Sequence, residues 1–434
     1  MLHSNHCQAC AQLARRDAWA KPRRRMATWL ARAAFAFGLA AGLHAASASG
    51  ATSSDWAPEV TVMTSPCGPG ATGSSLVTSA EGETWLSWVE PTAGDRHVLK
   101  CARFDAARMS WGPVRVIAEG TGWFVNWADF PVLAVQPARM TAVWSVGSHG
   151  HGGEGASYQA VFSTSADHGV TWSDRQPVTR ESASVEFVAL QPLPDGRVLA
   201  AWLDGRARVA GDERQTLYAR VLEEPGPDML VDERVCDCCQ LSLSATADGS
   251  ALLAYRGRTR DEIRDIRWTR FRDGRWAAPQ PVHDDGWALT GCPVNGPQIG
   301  SAGEHVAAAW FTAAGATRRV LASRLGTGGF TAAQRIDLGR PVGRVDAIVL
   351  PGGAAWISWL EGAGPEHAGG IYLREISPRG EISDAVAIAE ASDARSGGFP
   401  RMALLHGDGP PHALISFTQA ETPSKIAVRL ITAR

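Results

Sequence analysis

The chain is short of tyrosine, of excess charge and of long apolar runs. Only 4 tyrosines occur in 434 residues, and 42 Lys and Arg nearly balance 44 Asp and Glu. Without a charge block of either sign, the chain lacks the electrostatic footprint of a nucleic-acid or anionic-membrane binder. No apolar run approaches the roughly 20 residues a helix needs to span a bilayer, so no membrane span is expected. The nearest, Ala33 to Leu43, follows the basic Lys21-Pro22-Arg23-Arg24-Arg25 and precedes Ala46-Ser47-Ala48. That order of basic, apolar and small residues predicts a signal peptide over 1–48, cleaved near Ala48, and a periplasmic or secreted mature chain. The basic region is long, which makes Met26 an alternative start and sets Cys7 and Cys10 outside the mature protein. A linker rich in Pro and Ser is also lacking, so 49–434 reads as one domain acting as a monomer.

What is abundant is a repeat. Short apolar runs ending in an aromatic recur at Trp88, Trp144, Trp202, Tyr255, Trp310, Trp359 and Phe417, spaced 49 to 58 residues apart. A second marker keeps step with them, a short strand after a turn, as in "WAPEVTV", "WGPVRVI" and "WAAPQPV". Turn signals such as "PDG", "ADG" and "PGG" precede most of the aromatic runs, and one further strand separates the two markers. Four antiparallel strands per unit, repeated radially, predict an all-β, seven-bladed β-propeller, with six blades as the alternative. The last unit holds only three strands, and "APEVTVM" near the N-terminus is free to complete it, which would remove an exposed sheet edge.

The second unit contains "SADHGVTW", Ser165 to Trp172. Asp167 can accept from backbone N–H groups, Gly169 tolerates a conformation other residues resist, and Trp172 can pack under the hairpin. This stretch matches the Asp-box pattern, and with its degenerate copies "FDAARMSW", "FRDGRW" and "LGTGGF" the chain resembles the sialidase superfamily over nearly all of its mature length. The resemblance implies a propeller, and it implies an exo-sialidase or related glycosidase acting on terminal acidic sugars. Members of that family carry three arginines that clamp a carboxylate, a tyrosine nucleophile with a glutamate, and an aspartate acid/base. On that reading Arg256 and Arg401 are the candidate clamp, and Asp204 and Glu361 the candidate carboxylates. The family's Arg-Ile-Pro has no counterpart here; "SPCGPG" stands in its place.

The loops leading into the innermost strands should ring one mouth of the channel. They hold Cys67, Cys236, Cys238, Cys239 and Cys292, whereas Cys101 lies in "HVLKCARF". The loop after Trp144 adds His149, His151 and Glu154 on a glycine frame, and Glu90, Arg206 and Arg258 fall on the same face. Trp123, Trp127 and Phe399 could seal the channel or stack on a ligand. For the thiols several readings stand together. An even number in an exported chain suits structural disulfides, up to three of them. Cys236, Cys238, Cys239 and Cys292, with Cys67, His149 and His151 as further candidates, could instead hold a soft ion such as copper or zinc. Thiol–disulfide exchange with a redox partner is a third use. The function classes are thus a metal- or redox-partner-binding protein, a glycosidase binding a glycan, and a scaffold for a periplasmic protein.

Overall fold

The computed structural model describes residues 56–147, 158–181, 184–209, 211–212 and 214–434. The predicted signal peptide, His149, His151 and Glu154 lie outside them. Seven antiparallel sheets follow one another along the chain, each with four principal strands. The aromatic runs form the second strand of each sheet, as at Val198–Asp204 and Ala355–Glu361, where every residue is buried. A strand packed on both faces by neighbouring blades has no solvent side, so it reads as a continuous apolar run rather than as an alternation.

Packing between blades is carried by these same strands. Between the second and third blades, Val143 and Phe162 meet Val188, Ala200 and Trp202 in one cluster. Each of the seven repeat aromatics is buried, from Trp88 to Phe417. The ring closes as the missing fourth strand predicted: Glu59–Met63 pairs antiparallel with Lys425–Thr432, from Glu59 opposite Thr432 to Met63 opposite Val428. Seven sheets settle the count against six.

The Asp-box folds as its residues require. Ser165 Oγ accepts from Gly169 N at 2.8 Å, Asp167 Oδ1 accepts from Thr171 N at 2.8 Å, and Gly169 sits at φ +85°. Trp172 Nε1 donates to Gly169 O at 3.2 Å, locking the hairpin under the indole. All four signature residues are thereby spent on the turn. Among the described residues no helix is long and apolar enough to cross a membrane.

Candidate functional site

The innermost strands converge at the mouth, and four of them are kinked there. Pairing breaks inside Thr72–Thr78, Val185–Pro192, Pro341–Val349 and Gly398–Leu405, and at the breaks Gly73, Phe187, Arg344 and Phe399 take positive φ. A bulge of this kind bends the strand and re-aims its side chains. For the three non-glycines the conformation costs about 1–3 kcal/mol each, a cost that folds tend to retain at working sites. Phe399, so aimed, meets Phe130 and Trp127 at 5.1 and 5.8 Å between ring centres, with the Arg344 guanidinium 4.8 Å from its own ring. These aromatics pack together in one hydrophobic cluster. Trp123 likewise packs on the repeat aromatic Trp144 at 5.8 Å.

The sulfurs gather beside that cluster, against which Cys238 packs. Cys236 follows the outer strand of the third blade and is anchored by its N–H to Arg256 O at 3.0 Å. The Cys236, Cys238 and Cys239 sulfurs lie within 4.8 Å of one another. Cys238 is bridged to Cys292, whose Cα is 6.1 Å away in the loop leading into the fifth blade. Cys236 and Cys239 are free thiols, each 1% exposed, with sulfurs 3.5 Å apart. Cys67 and Cys101 are also free, and burial pushes both thiols up to about 12. Counting cysteines allowed three bridges; among the described residues one exists, and Cys67 stands apart from the sulfur group.

The local electrostatics distinguish the two inner thiols. Burial opposes ionisation of Cys236, yet the hydrogen bond with Cys239 and the Arg264 and Arg256 guanidiniums outweigh it and bring its thiol down to about 6. Arg264 Nη1 reaches Cys236 Sγ at 3.2 Å. Cys239 moves the other way, well above the usual thiol range, through burial and its charged neighbour. The loops holding this set are knitted by Gln240, which donates to Ala128 O at 2.8 Å and accepts from Gly296 N at 3.0 Å. Position 296 must be glycine, since a Cβ there would come within 2.1 Å of Gln240 O.

Two carboxyls that the sequence reading did not single out, Asp129 and Glu186, are electrostatic neighbours. Asp129 and Gln240 line a cleft of about 360 Å³ together with Ser74, Ser75 and Arg401. Burial raises Asp129 to about 7, helped by the neighbouring Glu186; one oxygen accepts from Phe187 N at 3.1 Å, and Oδ2 has no partner among the described residues. Burial also raises Glu186 to about 7, against the pull of Arg208. Their one sequence signal is position, since Asp129 stands in a loop leading into an innermost strand and Glu186 is the second residue of the innermost strand Val185–Pro192. Burial lowers the pKa of Arg401, against the pull of the neighbouring Asp346.

The remaining candidates are committed elsewhere. Glu90, Asp204 and Glu361 each accept the indole N–H of the tryptophan two residues earlier, at 2.6, 2.8 and 2.6 Å from Trp88, Trp202 and Trp359. Asp232 takes the hydroxyl of Tyr255 at 2.7 Å, and Asp285 the indole of Trp310 at 2.8 Å. Five blades therefore use a carboxylate to satisfy the one polar atom of the core aromatic, a need that follows from burying it. Arg256, 1% exposed, donates to the carbonyls of Asn295, Arg264 and Phe311 at 2.8, 2.6 and 2.7 Å. Its guanidinium is occupied by backbone. Arg206 is paired with Asp204 and Asp228, each at 2.8 Å, and Arg258 with Asp237 and Glu262 at 3.1 and 2.8 Å.

No protein-family model matches this sequence, and neither does any curated protein. Solved structures share the fold. A protein of unknown function from Dyadobacter fermentans is similar at TM-score 0.51 and 14% identity, over 87% of this chain and 98% of that one. A polysaccharide lyase described as an ulvan lyase, bound to -[GlcA(1-4)Rha3S]-, is similar at TM-score 0.50 and 10% identity, over 85% and 93% of the two chains. An intramolecular trans-sialidase from Ruminococcus gnavus reaches TM-score 0.44 at 10% identity, over 67% and 90%. At these identities the likeness to the Dyadobacter protein and the lyase shows the fold alone, and the site has to be read from its own residues.

Proposed function

We propose that this is an exported β-propeller that binds a soft transition-metal ion, Cu(I) or Zn(II), at its mouth through Cys236, Cys238, Cys239 and Cys292. The observation that carries the reading is the three sulfurs within 4.8 Å of one another, with a fourth bonded to one of them. Four thiolates around zinc at about 2.3 Å stand roughly 3.8 Å apart. The sulfurs are thus near ligand spacing before any ion arrives. Arg264, 3.2 Å from Cys236, supplies the N–H bond to sulfur and the positive charge that an anionic thiolate cluster requires.

The test is metal loading of the mature protein after reduction and anaerobic removal of the reductant. One zinc or copper(I) per chain is expected, with loss in the Cys236→Ser/Cys239→Ser double variant. Equal metal on both proteins would overturn the reading.

A second reading, cleavage of a glycosidic bond, is favoured by Asp129 and Glu186. A carboxyl raised to about 7 keeps a substantial protonated fraction near neutral pH and can act as a general acid, and a neighbouring carboxyl is the partner such chemistry uses. Release of a fluorescent aglycone from a sialoside or glucuronide, abolished by Asp129→Asn, is the result this reading expects; no release from either would reject it.

A further inference from the structure

The four sulfurs form two layers. Cys238 and Cys292 are half-buried and bonded to each other, whereas Cys236 and Cys239 lie behind with 1% exposure each and remain unbonded at 3.5 Å. A thiol arriving from solvent therefore meets the disulfide first. The bond also joins two loops 54 residues apart, those leading into the fourth and fifth blades. While it holds, two of the four sulfurs have no lone thiolate to offer an ion.

We infer that the Cys238–Cys292 disulfide is a redox lock on the thiolate site, opened by thiol–disulfide exchange with a dithiol partner before an ion can bind. The inference rests on the metal-binding reading above. One thiolate of the partner attacks Cys292 Sγ, the sulfur of the bonded pair that stands outside the three-sulfur group; the Cys238–Cys292 bond breaks and Cys238 leaves as a thiolate. The partner's second thiol then attacks the mixed disulfide, releasing Cys292 and forming the partner's own disulfide. Two electrons and two protons pass from the partner to the pair, and the protons leave when the ion binds. Gln240 and Gly296 hold the two loops together, so the sulfurs stay near one another after the bond opens. Exchange with an oxidised dithiol runs the steps backwards and expels the ion. A dithiol reductant must act upstream of metal loading.

Zinc(II) alone is the probe, measured by native mass spectrometry on three samples: untreated protein, reduced and desalted protein, and untreated Cys292→Ser. The lock predicts at least tenfold lower zinc occupancy in the untreated protein than in the reduced one. In untreated Cys292→Ser, which loses one ligand together with the bond, it predicts more zinc than in untreated wild type but weaker retention than in reduced wild type. Equal occupancy of untreated and reduced protein overturns the lock while leaving the metal site standing. No zinc on any sample overturns the metal site and the lock with it. Should the variant misfold, differential alkylation of the folded wild type with a dilute dithiol decides the order. Labelling of Cys238 and Cys292 ahead of Cys236 and Cys239 is expected, and the reverse order rejects the layering.

Discussion

Asp129→Asn is the substitution whose effect the mouth specifies most closely. Asp129 is buried, its Oδ1 accepts from Phe187 N, and its carboxyl is raised to about 7. An acid raised on folding leaves the folded chain holding more protons than the unfolded one. The stability it contributes is complete below the unfolded value near 4 and is lost as pH rises towards 7. Holding a buried carboxyl near 7 corresponds to about 4 kcal/mol in all, of which roughly 3 kcal/mol falls between pH 5 and pH 8. Asparagine keeps an acceptor for Phe187 N and cannot ionise. Urea unfolding of both proteins at pH 5 and pH 8 should therefore show the variant gaining about 2–3 kcal/mol on the wild type over that interval. A constant difference between the two pH values, or a variant that loses ground at pH 8, would refute the placement of this acid in a dry, carboxylate-facing cleft.

Glu361→Ala should cost about 3–5 kcal/mol in chemical denaturation, because it strands the Trp359 indole N–H and the backbone N–H of Leu338 and Arg340. Arg256→Met should likewise lower stability by about 3–5 kcal/mol by leaving three carbonyls dry, whereas an arginine free to clamp a ligand would leave the melting temperature unchanged. Deletion of 56–63 should open the ring and expose the edge of Lys425–Thr432; an earlier melting transition and a multimer peak in size-exclusion chromatography are the expected signs.

The architecture was legible because a propeller repeats its chemistry. Trp88, Trp202 and Trp359 recur at similar intervals with the other repeat aromatics since each blade buries the same strand in the same place, and the spare strand at Glu59–Met63 is visible as soon as the last unit is counted. The grouping of cysteines into loops of one class was legible for the same reason. What those loops do was not. Sequence distance says nothing of which sulfur of Cys236, Cys238 and Cys239 meets Cys292, because that choice is made by the packing of two loops 54 residues apart.

The rim acids show the same division from the other side. Glu90, Asp204 and Glu361 read as mouth carboxylates, and their place in the repeat was right; only the packed blade shows each one turned inward to an indole N–H that burial would otherwise leave unpaired. Asp129 and Glu186 carried no signal beyond their position, and it is their burial, with Glu186 on a strand bent by a bulge, that makes them unusual. The sequence alone determined the repeating four-stranded blade, the closing strand, the hairpin turn of the Asp-box and the neighbourhood of the thiols, all of which follow from local pattern and period. The tertiary structure decided which thiols are bonded, which carboxyls are dry and which arginines are spent on backbone, because each of these depends on distances between residues that the chain places far apart.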